Sequence, residues 1–418
     1  MRQRKELEVD ESNMLFSKRI VGIIAIVAVV ILAIAMRLSV FSTETDDMHY
    51  FLIPWYQHFA TYGLHGIANI DSNYNVPYLY LLWLSTHLHL SAIVAIKLIT
   101  LLFEACFAAL VYLIGKDYYP AKKHIPIIMA IASLFIPTLF LQGGLWGQCD
   151  IIYTFWLVAC WWMMSKGKQQ SGWILFGVAI AFKLQAIFFL PYMLYKWFVN
   201  SRIKKPVLSA VNVHLFYPLL AVLTIVVLAL PAVAFGRPVS MIFGVYAGQV
   251  SDPGTSTSLG SAATVFQLFV NMNDKAVLYL AKPAIFFACA LVVAIFGMYL
   301  TYVKRTTFKD TFTLPLLFLL ILPYFLPFMH DRYFFAGEIF ALLFAALTRR
   351  WFFIVAATLL QATALPLYAS YLWHSNVWPA PVLALIQLGV IGLIAWYLYQ
   401  NSETKSITNL WGLRRSGE

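Results

Sequence analysis

Two adjacent aspartates, Asp46 and Asp47, follow the first apolar run of the chain, and an aromatic-rich stretch, His49-Tyr50-Phe51 then Pro54-Trp55-Tyr56, follows them. Carboxylates beside a bilayer, roofed by apolar residues, suit proton transfer better than packing. Met48, Phe51, Leu52, Trp55, Tyr56 and Phe59 repeat at i, i+3, i+4, i+7, i+8 and i+11, which predicts an amphipathic helix. Asp47 stands at its head, either as a cap on the helix amides or as a group kept for chemistry. Neighbouring helical residues point ~100° apart, so Asp46 and Asp47 are not expected to act as one dyad.

Three further clusters carry chemical groups. Trp146-Gly147-Gln148-Cys149-Asp150 follows two glycines and leads into an apolar run. Asp150 alone reads as a cap, but a cap leaves Trp146 and Gln148 unexplained. Lys183-Leu184-Gln185 puts a lysine deep in an apolar stretch, where a charge normally faces a partner or a wet cavity. His330-Asp331-Arg332-Tyr333 places three ionisable residues between apolar runs, as a structural turn or an anion site. Arginine offers a planar fork to phosphate oxygens, and histidine can donate or titrate.

The elements that must position these groups are membrane helices. The 418 residues are 61% hydrophobic and 11% charged, more apolar sequence than a soluble fold can bury. Aromatic residues flank many of the apolar runs, as interfacial belts do. The net charge of +11 is scattered through short loops, which argues against a nucleic-acid partner. Cys106, Cys149, Cys160 and Cys289 show no paired or metal-binding spacing and read as small apolar residues. Residues 1–19 are polar and mixed in charge, and no small-residue cleavage site follows the first span, which reads as a retained anchor.

The expected fold is all-α, with twelve spans at 20–40, 91–114, 125–142, 151–165, 171–183, 184–197, 207–234, 278–303, 311–327, 334–348, 351–368 and 380–400. With the N-terminus in the cytoplasm, 22 of the 29 lysines and arginines fall on the cytoplasmic side, as the positive-inside rule requires. This topology gives a cytoplasmic tail at 1–19, one membrane domain at 20–400 and a second cytoplasmic tail at 401–418. Within the domain, the first external loop, 41–90, carries surface helices; 76–90 lies on the outer surface rather than spanning. All four clusters then face outward. Seven basic residues remain near that side: Arg37, Lys97, Lys183, Arg237, Lys275, Lys282 and Arg332. Arg37, Lys275 and Lys282 read as snorkelling or surface-paired side chains.

Taken in order, these strings resemble the GT-C superfamily of membrane glycosyltransferases. More narrowly, they are similar to bacterial and archaeal mannosyltransferase-like proteins related to the enzyme that adds the second mannose of GPI anchors. The resemblance rests on Asp47 with Phe51-Leu52-Ile53-Pro54-Trp55, on Asn73-Tyr74-Asn75-Val76-Pro77-Tyr78-Leu79-Tyr80, and on the three clusters above, from about residue 40 to 335. Asp331 stands where the family often has glutamate, and Val76-Pro77 where it has two prolines. The stretch 256–268 lacks the family's asparagine.

The resemblance implies inverting transfer of a sugar from a polyprenyl-phosphate donor to a glycan, lipid or protein hydroxyl at the external face of the cell membrane. Asp47 would be the general base, and Arg332, His330 and Lys183 would hold the donor phosphate. Asp46, Asp150, Gln148, Trp146, Gln185, Tyr333 and Tyr74 would shape the pocket. No cofactor follows from it, and the adjacent carboxylates supply too few ligands to predict a divalent metal. A transporter or flippase of lipid-linked sugars shares the spans and charges, but usually shows internal repeats and midplane polar groups, whereas this sequence has no convincing repeat and its polar clusters lie at one membrane face.

Overall fold

Apolar runs this long can satisfy their backbone groups in lipid only as helices or closed barrels, and here they are helices. The computed structural model describes residues 2–203, 213–251, 262–269, 274–302, 308–375 and 379–400. The tail 401–418, residues 256–261, and Lys204, Lys205, Lys304 and Arg305 of the charge count lie outside these.

Helix α1 (Arg2–Leu38) begins inside the stretch read as a polar tail and continues through the first apolar run. A turn of wide π-helical winding, Met48–Leu52, then feeds α2 (Ile53–Tyr62). Five of the six stripe residues are buried, and only Phe51 faces out. The expected amphipathic helix is therefore present. α3 (Val76–Thr86) packs on α2, α4 and α8. After α4 (Ala92–Tyr118), α5 (His124–Ser133) and α6 (Pro137–Leu139) meet at a 43° bend, where Pro137 offers no N–H to continue the ladder. A second π-wound turn, Phe140–Trp146, extends α6.

α7 (Asp150–Ser165) and α8 (Gln169–Phe182) follow, and α8 stops at Lys183, whose backbone is extended at φ −154° and ψ 132°. A 3₁₀ turn, Leu184–Phe189, leads into α9 (Leu190–Ile203). The break falls where two short helices were expected to meet. The rest of the chain adds α10 (Tyr217–Ala234), α11 (Val239–Ser251), α12 (Asp274–Tyr302) and α13 (Phe308–Phe325). The last three helices are α14 (Phe335–Thr348), α15 (Trp351–Trp373) and α16 (Ala380–Gln400).

The protein is a helical membrane protein. Among the described residues, six helices are long and apolar enough to cross a bilayer, or seven if the bent pair 124–146 counts as one span. The count stops short of twelve for a reason of length. α7 has 16 residues, and α8 and α14 have 14 each, which is about 21–24 Å of helix against a core of ~30 Å. Ile23, Ile24, Leu219, Val222, Phe286 and Val293 stay exposed on α1, α10 and α12, where lipid is their natural cover.

The interior is formed largely by α4, α7, α8, α13 and α14, with fully buried Trp161 against Phe344 at a ring separation of 5.0 Å. α8 and α10 approach closely at Gly177, where an added Cβ would lie 2.6 Å from the Ala221 carbonyl oxygen. Small residues at such crossings let membrane helices touch backbone to backbone. Gly177→Ala should therefore destabilise the protein by about 1–3 kcal/mol, the usual cost of overpacking. Gly389→Ala meets open space and should be neutral or slightly stabilising. Thermal unfolding in detergent separates the two outcomes.

Candidate functional site

Asp47 does not cap the helix it heads. Its backbone is already helical and its side chain makes no cap hydrogen bond. The carboxylate instead turns to three donors from distant segments, all on Oδ2: Gln148 Nε2 at 2.5 Å, Trp146 Nε1 at 2.8 Å and an Arg332 guanidinium nitrogen at 3.2 Å. The alternative left open by the sequence is thereby resolved against a cap. Asp47 and Arg332 retain 17% and 16% exposure, enough for a small group to reach them.

The positions follow from local backbone chemistry. Gly147 sits at φ +77°, a left-handed conformation costly for other residues, and a Cβ there would press on Met48 Sδ at 3.0 Å. That turn sets Trp146 and Gln148 on the same carboxylate. Thr45 Oγ1 donates to the Trp146 carbonyl at 3.0 Å, tying the Asp47 segment to this turn. The Trp146 ring is fully buried, stacked 4.4 Å from Tyr371, with the Arg332 guanidinium 5.5 Å from its centre. Tyr74 donates its O–H to Gln148 Oε1 at 2.9 Å, which leaves the Gln148 amide N–H to face Asp47. Burial pushes the Tyr74 phenol well up, so it remains a donor.

Burial is the largest influence and would weaken the Arg332 charge, but Asp47, then Tyr74 and Asp150, together outweigh this and keep the guanidinium protonated. Arg332 Nε is buried and has no hydrogen-bond partner. Phe328, at φ +60°, turns the chain into this segment. Lys183, released by the α8 break, forms a buried ion pair with Asp150 and lies 5.6 Å from the Tyr74 ring. Asp47, Trp146, Gln148, Arg332, Tyr74, Asp150 and Lys183 thus form one contiguous cluster.

The remaining expected residues sit at its margins. Asp46 is 57% exposed, with His374 Nε2 at 3.7 Å. Gln185 is buried with Oε1 unpartnered, and Tyr333 packs against His330 and Phe188. His330 keeps open surface, yet the protein crowded around it, and the Arg332 charge after that, push its imidazole down to about 4. It is neutral at pH 7 and can offer one N–H but no charge, which revises its reading as a cation for phosphate. Lys183 is likewise committed to Asp150 in this arrangement.

Arg37 does not snorkel. It is 2% exposed, paired with Glu104 of α4, and donates to the Ala33 and Leu134 carbonyls at 3.0 and 2.8 Å. Two more buried carboxylates stand outside the four clusters: Glu104, and Glu338, which is 1% exposed and accepts from Tyr368, itself bonded to Gln142. A carboxylate inside an apolar run is the signal that would have found both. All four cysteines are free, and Cys149 and Cys160 are buried. Among the described residues no group of three or more His, Cys, Asp or Glu is placed to hold a metal ion.

Asp331 is buried beside Arg332, whose backbone N–H it accepts at 2.9 Å. Burial outweighs the Arg332 charge and raises its carboxyl from 3.8 to about 6. Between pH ~4 and ~6 the folded protein keeps a proton that the unfolded chain has released, so this group's contribution to stability falls as pH rises through that window. Asp331→Asn should flatten that part of the stability–pH profile, measured by thermal unfolding across pH 4–7. A profile unchanged by the substitution would contradict the assignment. No family model, curated protein or solved structure matches this chain.

Proposed function

We propose that the protein is an inverting glycosyltransferase that moves a sugar from a polyprenyl-phosphate donor to an acceptor hydroxyl at the external membrane face. One observation carries the reading: a reachable carboxylate, Asp47, has a single oxygen gripped by a guanidinium, an indole N–H and an amide. Such a carboxylate has fixed orientation and can take the proton of an attacking hydroxyl with its other oxygen. As the acceptor oxygen bonds to the anomeric carbon, the bond from that carbon to the phosphate oxygen breaks, and the phosphate carries away the electron pair. Configuration at the carbon inverts.

Arg332 suits the departing phosphate. It stays charged, and its Nε–H lacks a partner. Lys183 serves only if Asp150 releases it, so it ranks below Arg332 for that role. The GT-C resemblance of the ordered strings supports the same reading. In it, the shorter helices complete a twelve-span bundle with both termini cytoplasmic, and the buried aromatic roof of α2 and α3 keeps water from competing as acceptor.

Purified protein in detergent, given polyprenyl-phosphate sugar and acceptor lipids, should release free polyprenyl phosphate. Asp47→Asn should lower that release by about 10²–10⁴-fold, the usual worth of general-base help. Transfer by the Asn variant at the wild-type rate would remove Asp47 as base. Transport of intact lipid-linked sugar across vesicles, with no carrier released, would favour a flippase instead.

A further inference from the structure

One face of α4 is polar although the helix is long and apolar enough to span a bilayer. Lys97, Thr100 and Glu104 follow i, i+3 and i+7, so they line one side, and they are 0%, 2% and 1% exposed. Charges buried in such a helix are costly and persist where they hold something in place. Among the described residues the Lys97 ammonium meets no carboxylate within ion-pair distance. It donates to the Val40 carbonyl at 2.8 Å and the Thr43 carbonyl at 2.7 Å, on the segment that leaves α1 and reaches Asp47 four residues later. A cation there also suits the negative end of α1.

The other two residues face the turn that delivers the Asp47 donors. Thr100 Oγ1 lies 3.4 Å from the Gln148 carbonyl. Glu104, bonded to Arg37, lies so close to Gly143 that a Cβ there would come within 2.0 Å of Oε1, and Thr100 Cγ2 would be 2.6 Å away.

We propose that Lys97, Thr100 and Glu104 are positioning residues: Lys97 sets the segment carrying Asp47, and Thr100 with Glu104 sets the turn carrying Trp146 and Gln148. Thr45 Oγ1, which donates to the Trp146 carbonyl, joins the same two segments directly. The kinetic consequence rests on the glycosyl-transfer reading; the structural consequence does not.

The test compares Lys97→Met, which keeps the bulk and removes the ammonium, with Lys97→Arg, which keeps a cationic donor. A misplacement of about 1 Å can cost ~10²-fold in rate, so Lys97→Met should lower kcat for sugar transfer by that order with donor KM little changed. Lys97→Arg should regain most of it. Hydrogen–deuterium exchange should rise about tenfold or more in peptides over 40–52 and stay unchanged in α7, as expected for local rather than global opening. Wild-type kcat and exchange in Lys97→Met would overturn the proposal, and so would a loss shared by every helix. If Lys97→Met does not fold, Thr100→Val decides: kcat should fall severalfold with faster exchange over 143–148, and no change in either refutes positioning. If the wild-type protein transfers no sugar, the functional reading falls and the exchange data alone judge the positioning claim.

Discussion

A charge inside an apolar bundle must be matched where it sits, and the Asp47–Arg332 pair is the match on which this protein's arrangement turns. The two residues are 285 apart in sequence and 3.2 Å apart in space. Both side chains are only part-buried, yet removing either would leave the other charge poorly matched in an apolar setting. The pair therefore pulls the start of the first loop and the segment that leads into α14 to the same point. Trp146 and Gln148 complete the shell from a third segment, and Tyr74 orients Gln148 from a fourth.

The same rule shapes the backbone around the site. Both wide π-wound turns, Met48–Leu52 and Phe140–Trp146, border the Asp47 cluster, and such turns concentrate at functional positions because they redirect side chains within a helix. The break at Lys183 frees that ammonium to reach Asp150 at the head of α7. Away from the site, Arg37 and Glu104 repeat the pattern and fasten α1 to α4. Lipid supplies no competing polar partner, so each ionic contact is a strong constraint on which helices lie together.

Much of this was legible in the chain because it is local. The stripe from Met48 to Phe59 has helical period, and five of its members are buried as that period requires. The paired shortness of 171–183 and 184–197 pointed to the break at Lys183. The outward clusters of the charge-based topology converge, and the structure brings Asp47, Trp146, Gln148, Asp150, Lys183 and Arg332 together. What the sequence hid is pairing. Nothing local says that Arg37 seeks Glu104, 67 residues on, so a buried ion pair reads as a snorkelling arginine. Nor does spacing reveal that Lys183 and Asp150 satisfy each other, or that crowding leaves His330 neutral.

Five carboxyl groups around this region can be compared by what a base needs: reach, charge and a fixed orientation. Asp150 is fully buried and paired with Lys183. Glu338 is 1% exposed and takes a hydroxyl hydrogen bond from Tyr368, with no cation within ion-pair distance among the described residues. Asp331 is buried, and burial raises its carboxyl to about 6. Asp46 is open to solvent, with a histidine at 3.7 Å beside it. Asp47 alone among these combines partial exposure with three donors on one oxygen and a permanent positive charge beside it. Its cation sits on one carboxylate oxygen, so the guanidinium fixes the orientation of the carboxylate through that oxygen alone. A lysine in place of Arg332 would supply the charge as a point, without the planar fork that lets one guanidinium hold a carboxylate and still present N–H groups to an anion. The arginine is thus what makes a base and an anion site possible at one position.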